Sequence, residues 1–313
     1  MYWSFKQPRF HLASVLTGSL VFGLIGCGGE GTEPNEAVVV TDPNASVATA
    51  TPSATPSAPS DSGAAAKAPA GEAAAGTPEV KAEGWGTLKG TITFNGTAPE
   101  VSELVKKGQA PKDTDYCAKD EPIKSERLIV DAGSKGVKNV LVYLSKPTAV
   151  KPEAKDAAAK AEVIFDQEKC VFEPHVIALM NGAKVVLKNS DPVNHNVNSK
   201  LKNNGTNPNV APNTEQPFQT QGAERTPGEV VCDIHNWMKA YWMVLDNPYF
   251  AVTDAQGNFE IKDVPAGTQK VVVWQEATTG GFVTAASGQA VNIKADDTTQ
   301  FDLKIEAGKI RKE

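Results

Sequence analysis

Cys232-Asp233-Ile234-His235-Asn236-Trp237-Met238 brings a thiol, an imidazole and a thioether together within seven residues, directly behind the apolar pair Val230-Val231. A second imidazole, His195, follows another strand-like segment upstream. The Cys-x-x-His-x-x-Met spacing lets one tight loop present three metal donors, and a fourth must come from a neighbouring strand. His195 is the candidate for that fourth position.

One Cys, two His and one Met suit a metal that cycles between Cu(I) and Cu(II). A thiolate and two imidazoles in a plane, with a weak axial thioether, serve both oxidation states without large rearrangement. Zinc is the chemical competitor, because Cys and His bind it well. Zinc rarely takes a thioether, so Met238 favours copper. A dinuclear copper centre would need a second cysteine in the loop, which is absent.

Outward from this loop the pattern is one of short strands. Val163 to Phe165, Val176 to Leu179, Lys184 to Asn189, Gly228 to Cys232 and Ala240 to Leu245 read as strands, with a turn at Asn181-Gly182. The stretch Ser190 to Gln216 is long and polar and carries His195 near its start. Before this region, Thr87 to Phe94 alternates apolar and polar residues and ends at Asn95-Gly96. Leu128 to Val130 and Val137 to Leu144 form two further expected strands, and Glu153 to Lys160 one short helix. After it, Phe250 to Thr253, Phe259 to Ile261, Gln269 to Trp274, Gln289 to Ile293 and Thr299 to Ile305 are strand-like. The ordered part is therefore expected to be all-β.

The chain has 313 residues and a formal net charge of -6, which argues against a nucleic-acid partner and allows docking to a basic one. Its first quarter cannot add to a core. Lys6 and Arg9 precede the apolar run Leu12 to Ile25, as in an export signal. The ending Leu24-Ile25-Gly26-Cys27 resembles the lipobox of bacterial lipoproteins, which implies lipidation of Cys27 and cleavage before it. Residues 28–84 are rich in Ala, Pro, Ser and Thr with no apolar period, and read as a disordered tether to a membrane. The expected location is periplasmic or cell-surface, where disulfides persist.

Two family resemblances follow from longer segments. Gly182 to Asp191, then His195-Asn196-Val197, resembles the first-histidine region of cupredoxins, the plastocyanin- and amicyanin-like type 1 copper proteins. Cys232 to Met238 resembles their C-terminal ligand loop, closest in length to that of amicyanins, and Phe172-Glu173-Pro174 matches a pattern common in plastocyanin-type proteins. The resemblance covers residues 161–247, a normal size for a small Greek-key sandwich. It implies His195, Cys232 and His235 as equatorial ligands and Met238 as the axial one. It also implies that Asn196 hydrogen-bonds across to the ligand loop and that His235 lies nearest the surface, as the electron port. Trp237 either covers the metal, contributes to a docking surface, or is a core or rim aromatic without a redox role.

The segment Thr253 to Gly267 resembles carboxypeptidase regulatory-like, or transthyretin-like, β-sandwich domains, whose opening strands would be Gly86 to Phe94 and Val137 to Leu144. Residues 85–160 and 248–313 would then be two parts of one sandwich into which the cupredoxin is inserted, or else two independent flanking domains. With Cys27 lipidated and Cys232 on metal, Cys117 and Cys170 remain as a disulfide pair that would clamp the loop Asp113 to Glu121 to the copper domain; the alternative is a second metal site using Cys170 and His175. No catalytic constellation is present. The expected function is a lipid-anchored carrier of single electrons between redox proteins. The alternative is a surface binding or structural module with a role in copper storage or trafficking.

Overall fold

The strand Lys239–Leu245 is buried at every position after its first residue, and the fold follows from what covers each of its two faces. Successive strand side chains point to opposite sides. Ala240, Trp242 and Val244 enter one apolar cluster, and Tyr241, Met243 and Leu245 enter another. A strand covered on both faces reads as a continuous apolar run rather than an alternating one. The structure is a computed structural model that describes residues 82–312. The export signal, Cys27 and nearly all of the 28–84 tether lie outside the described residues.

These residues are mostly β, in several sheets. On one side of Lys239–Leu245 lies the region that bears the ligand loop. Its first sheet orders Thr214–Gln219, Lys184–Asn189, Glu162–Glu168 and Val171–Glu173; its second orders Asn198–Ser199, Gly228–Val231, Lys239–Leu245 and Val176–Met180. Their inner faces share Phe165, Leu187, Val230 and Trp242, with Phe165 stacked on Phe172 and edge-on to Trp242.

Strands from before and after this region pair with each other. Trp85–Asn95 runs antiparallel to Asn258–Pro265, and Leu141–Leu144 pairs with both Phe250–Val252 and Gly267–Trp274. Leu88, Ile92, Val142, Phe259 and Val273 lie in one buried cluster between them. Leu141–Leu144 is also buried on both faces, because Leu141 and Tyr143 turn the other way. They join Val272 and Trp274 against Val176, Tyr241 and Met243, so the two groups of sheets share a third core.

The short expected helix is found at Pro152–Ala159. Leu128 to Val130 does not form a strand and makes only a bridge from Val130 to Val137. The run from Val137 likewise becomes a strand only at Leu141. Asn139 sits at φ 63°, a left-handed conformation that asparagine tolerates, and this breaks the extended run. Among the described residues no helix is long and apolar enough to cross a membrane.

Residues 103–124 leave the sheets and return. Glu103–Val105 pairs with Ile123–Lys124, and Cys117 within the excursion is disulfide-bonded to Cys170 with 5.6 Å between Cα atoms. Closing a loop of 53 residues contributes about 4 kcal/mol in the chain-entropy account. Val105, Ala110, Cys117, Ala118 and Ile123 pack into the same cluster as Cys232 and Met238. The excursion is therefore seated on the ligand-bearing region.

Candidate metal centre

The loop Cys232 to Met238 joins two antiparallel strands, Gly228–Val231 and Lys239–Leu245. It closes on itself, with the Cys232 N–H donating to the Met238 carbonyl at 3.3 Å and the Met238 N–H to the His235 carbonyl at 2.9 Å. His195 arrives from a separate two-residue strand paired with Asn209–Val210. Cys232 Sγ lies 3.9 Å from Nδ1 of His195 and 3.9 Å from Nδ1 of His235, and the two Nδ1 atoms are 2.9 Å apart. All three side chains are buried. Met238 is buried in the same apolar cluster as Cys232.

The far nitrogen of each ring is engaged by a carboxylate. His195 Nε2 is 2.8 Å from Asp191 Oδ2, and His235 Nε2 is 2.7 Å from Asp113 Oδ2. A carboxylate accepts but does not donate, so each ring carries a proton on Nε2 and turns Nδ1 toward the sulfur. Two imidazole nitrogens and a thiolate aimed at one another repel unless a positive charge stands among them. A soft thiolate with two imidazoles and a nearby thioether, in a dry pocket, fits copper.

Without a metal, that charge is a proton. Burial opposes the charged form of His195, but its bonds to Asp191 and Cys232 hold its pKa above the ordinary value. Burial also opposes ionisation of Cys232, yet His195 and His235 bring its thiol down from 9.0 to about 6. Asp191 is held below the usual carboxylate range, against burial, by His195, Tyr116 and the backbone N–H groups of Cys170 and Lys169. Metal-free protein is therefore expected to show thiolate ultraviolet absorbance that appears as pH rises through about 6 and is lost below it. A midpoint near 9.0, the ordinary thiol value, would contradict this electrostatic account.

Asn196 reaches across to the ligand loop. Its Oδ1 accepts from the Asp233 N–H at 2.8 Å and lies 3.3 Å from Cys232 Sγ, while its Nδ2 donates to Asp233 and Asn207. Asp233 in turn accepts from Asn198 and Asn207, so an asparagine-rich network holds the loop from outside. Trp237 is half-buried; its Nε1 donates to the Cys170 carbonyl at 3.0 Å and its ring lies 5.0 Å from that of His235. Trp237 and Met238 also line a cavity of about 340 Å³ that reaches His175, Glu276 and Tyr241.

Two expectations change. His235, expected nearest the surface, presents no exposed edge: its side chain is 0% exposed, as is that of His195, because the excursion carrying Asp113 lies over its outer edge. The alternative second metal site of Cys170 and His175 does not form either. Cys170 is consumed by the disulfide, and His175 Nε2 is bonded to Glu276, with Glu126 3.8 Å from its Nδ1. Asp113, Tyr116 and Asp191 are the residues that sequence reasoning missed. Asp191, four positions before His195, carried a local signal; Asp113 lies 122 positions from His235 and carried none.

No family model matches the chain, and no curated protein matches it. Similar solved structures include amicyanin from Paracoccus versutus, at 20% identity and TM-score 0.24, over 33% of this chain and 97% of that one. A purple cupredoxin from Nitrosopumilus maritimus aligns at 18% identity and TM-score 0.23, over 28% of this chain and 100% of that one. A Cu-containing nitrite reductase from Thermus scotoductus SA-01 aligns at 17% identity and TM-score 0.24, over 27% of this chain and only 22% of its own length.

Proposed function

We propose that the chain carries one type 1 copper ion, held by His195, Cys232 and His235 with Met238 as axial ligand, and that it moves single electrons between redox partners. The convergence of the three buried donor atoms within 4.8 Å of one another is the observation that carries this assignment. Copper would supply the Cu(I)/Cu(II) couple. The protein's own contribution is a ligand set whose positions are fixed by the Asn196 network and by carboxylates on both rings, which favours little movement between the two states. The same burial favours electron transfer over copper trafficking, because no ligand is offered at the surface to a receiving protein. No catalytic role is assigned.

We also propose that residues 85–160 and 248–313 form one carboxypeptidase regulatory-like sandwich interrupted by the copper region. The antiparallel pairing of Trp85–Asn95 with Asn258–Pro265, together with the common core, supports this. Export, lipidation at Cys27, a periplasmic or cell-surface position and docking to redox proteins complete the proposal, on the sequence features already given.

A redox titration of the copper-loaded protein tests the function. A reversible one-electron transition at one copper per chain is expected. Rapid loss of the copper to a chelator, with no reversible couple, would favour storage or trafficking.

A further inference from the structure

The excursion Glu103–Lys124 reaches both imidazoles of the candidate centre from one short turn, that of His235 directly and that of His195 through Asp191. Within that turn, Tyr116 N–H and Cys117 N–H both donate to the Asp113 carbonyl, at 2.9 and 2.8 Å. Asp113 itself is at φ 50°, a conformation that aspartate tolerates better than most residues. Its carboxylate meets His235 Nε2 at 2.7 Å and keeps one third of its own side chain in solvent. Three residues on, the Tyr116 hydroxyl donates to Asp191 Oδ1 at 2.7 Å, and the other oxygen of Asp191 meets His195 Nε2 at 2.8 Å. Cys117, next in the chain, is bonded to Cys170, whose N–H donates to Asp191 Oδ2 at 2.8 Å. The disulfide therefore ties the turn to the backbone that also fixes Asp191.

We infer that the Asp113–Cys117 turn is a clamp that positions both histidine ligands, with Asp113 the positioning residue for His235 and Tyr116, through Asp191, for His195. The clamp rests on the copper proposal for its purpose, but its geometry is present without metal. It has three consequences. The proton of each ring is fixed on Nε2, so that Nδ1 always faces Cys232. His235 cannot swing outward, because its outer edge is occupied. An anionic carboxylate stands one ring away from the metal position, where it favours Cu(II) over Cu(I) by simple Coulomb attraction. Removing a bond of this kind from a metal-ligating histidine typically weakens metal binding by about 10- to 100-fold.

Asp113→Ala and Asp113→Asn in the full chain separate these effects. The chain has 4 histidines, so selective 15N labelling of histidine resolves each ring in the metal-free protein. Wild type is expected to show His235 as a single Nε2–H tautomer with a slowly exchanging proton. Asp113→Ala is expected to lose that protection and, when copper-loaded, to release copper to a chelator about 10- to 100-fold faster. Asp113→Asn keeps an acceptor oxygen and the cover but not the charge. It should retain copper nearly as well as wild type while its reduction potential rises, a change that mere coverage would not produce. Tyr116→Phe should have a smaller effect, because Asp191 keeps its bonds from Lys169 and Cys170.

The clamp is overturned if His235 in wild type already exchanges its ring proton freely. It is equally overturned if Asp113→Ala leaves both the ring exchange and copper release within about twofold of wild type. An unchanged potential in Asp113→Asn would remove the electrostatic consequence and with it Asp113 as a tuning residue. The ring-exchange arm needs no copper. Failure of the copper proposal would therefore show as normal histidine protection without a type 1 centre, distinct from failure of the clamp.

Discussion

Cys232→Ala is expected to abolish the intense visible absorption of the copper-loaded protein completely while leaving the fold intact. The band arises from charge transfer between a thiolate and Cu(II), and Cys232 is the one free cysteine among the described residues. Cys117 and Cys170 are joined to each other and cannot substitute. The remaining His195 and His235 would face a metal with no anionic ligand in the plane, so affinity should fall as well. Folding should survive because Cys232→Ala only shortens CH2SH to CH3 inside an apolar cluster, removing little volume, and His195 keeps its bond to Asp191. Absorption spectra of Cu(II)-loaded wild type and variant, with circular dichroism as the control for folding, make the comparison. A band that persists in Cys232→Ala would sink the ligand assignment.

Glu276→Ala is expected to destabilise the protein by about 3–5 kcal/mol, lowering Tm on the order of 10 °C for a folded region of this size. His175 and Glu276 are bonded to each other in the third core, where the two groups of sheets meet, and their side chains are 6% and 7% exposed. Glu126 lies 3.8 Å from the other ring nitrogen, and Tyr241, which packs on Trp274, shares the cluster. Deleting Glu276 leaves a buried imidazole without its principal partner, and such a deletion is costly even where the intact pair adds little. The pH dependence carries a sign. Burial opposes protonation of His175, but Glu276 and Glu126 raise its pKa above 6.5. The charge contribution is therefore fully present below pH 6.5 and is lost as pH rises through the raised value. The gap between wild type and Glu276→Ala should narrow on the alkaline side. Denaturation midpoints across pH check this, and a gap below about 1 kcal/mol at every pH would remove the pair as a structural anchor.

The candidate ligand loop was legible in the sequence because three potential donors are packed into seven residues, and donor chemistry constrains identity more tightly than strand packing does. His195-Asn196 was legible through the resemblance of its segment to the first-histidine region of cupredoxins. Lys239–Leu245 showed its strand character, but its continuous apolar run says only that both faces are covered. That Leu141–Leu144 and Gly267–Trp274 provide the second cover depends on chain segments far apart in sequence. The broken strand at Asn139 was hidden because asparagine in a left-handed conformation leaves the surrounding apolar pattern untouched. Asp113 was hidden most deeply. It lies in a polar loop, and nothing local distinguishes it from Asp115 or Asp120; only the folded chain brings it to His235. The cover over His235 was hidden at the same place, because the excursion that forms it is anchored through Cys117 rather than through a sheet.

The most direct measurement is the visible absorption and electron paramagnetic resonance spectrum of the purified wild-type chain after loading with Cu(II). An intense thiolate-to-copper band at one copper per chain, with the narrow hyperfine splitting of a type 1 site, is the expected result. A pale, weakly absorbing protein with the broad splitting of an ordinary nitrogen- and oxygen-ligated Cu(II), or no bound copper at all, would contradict it.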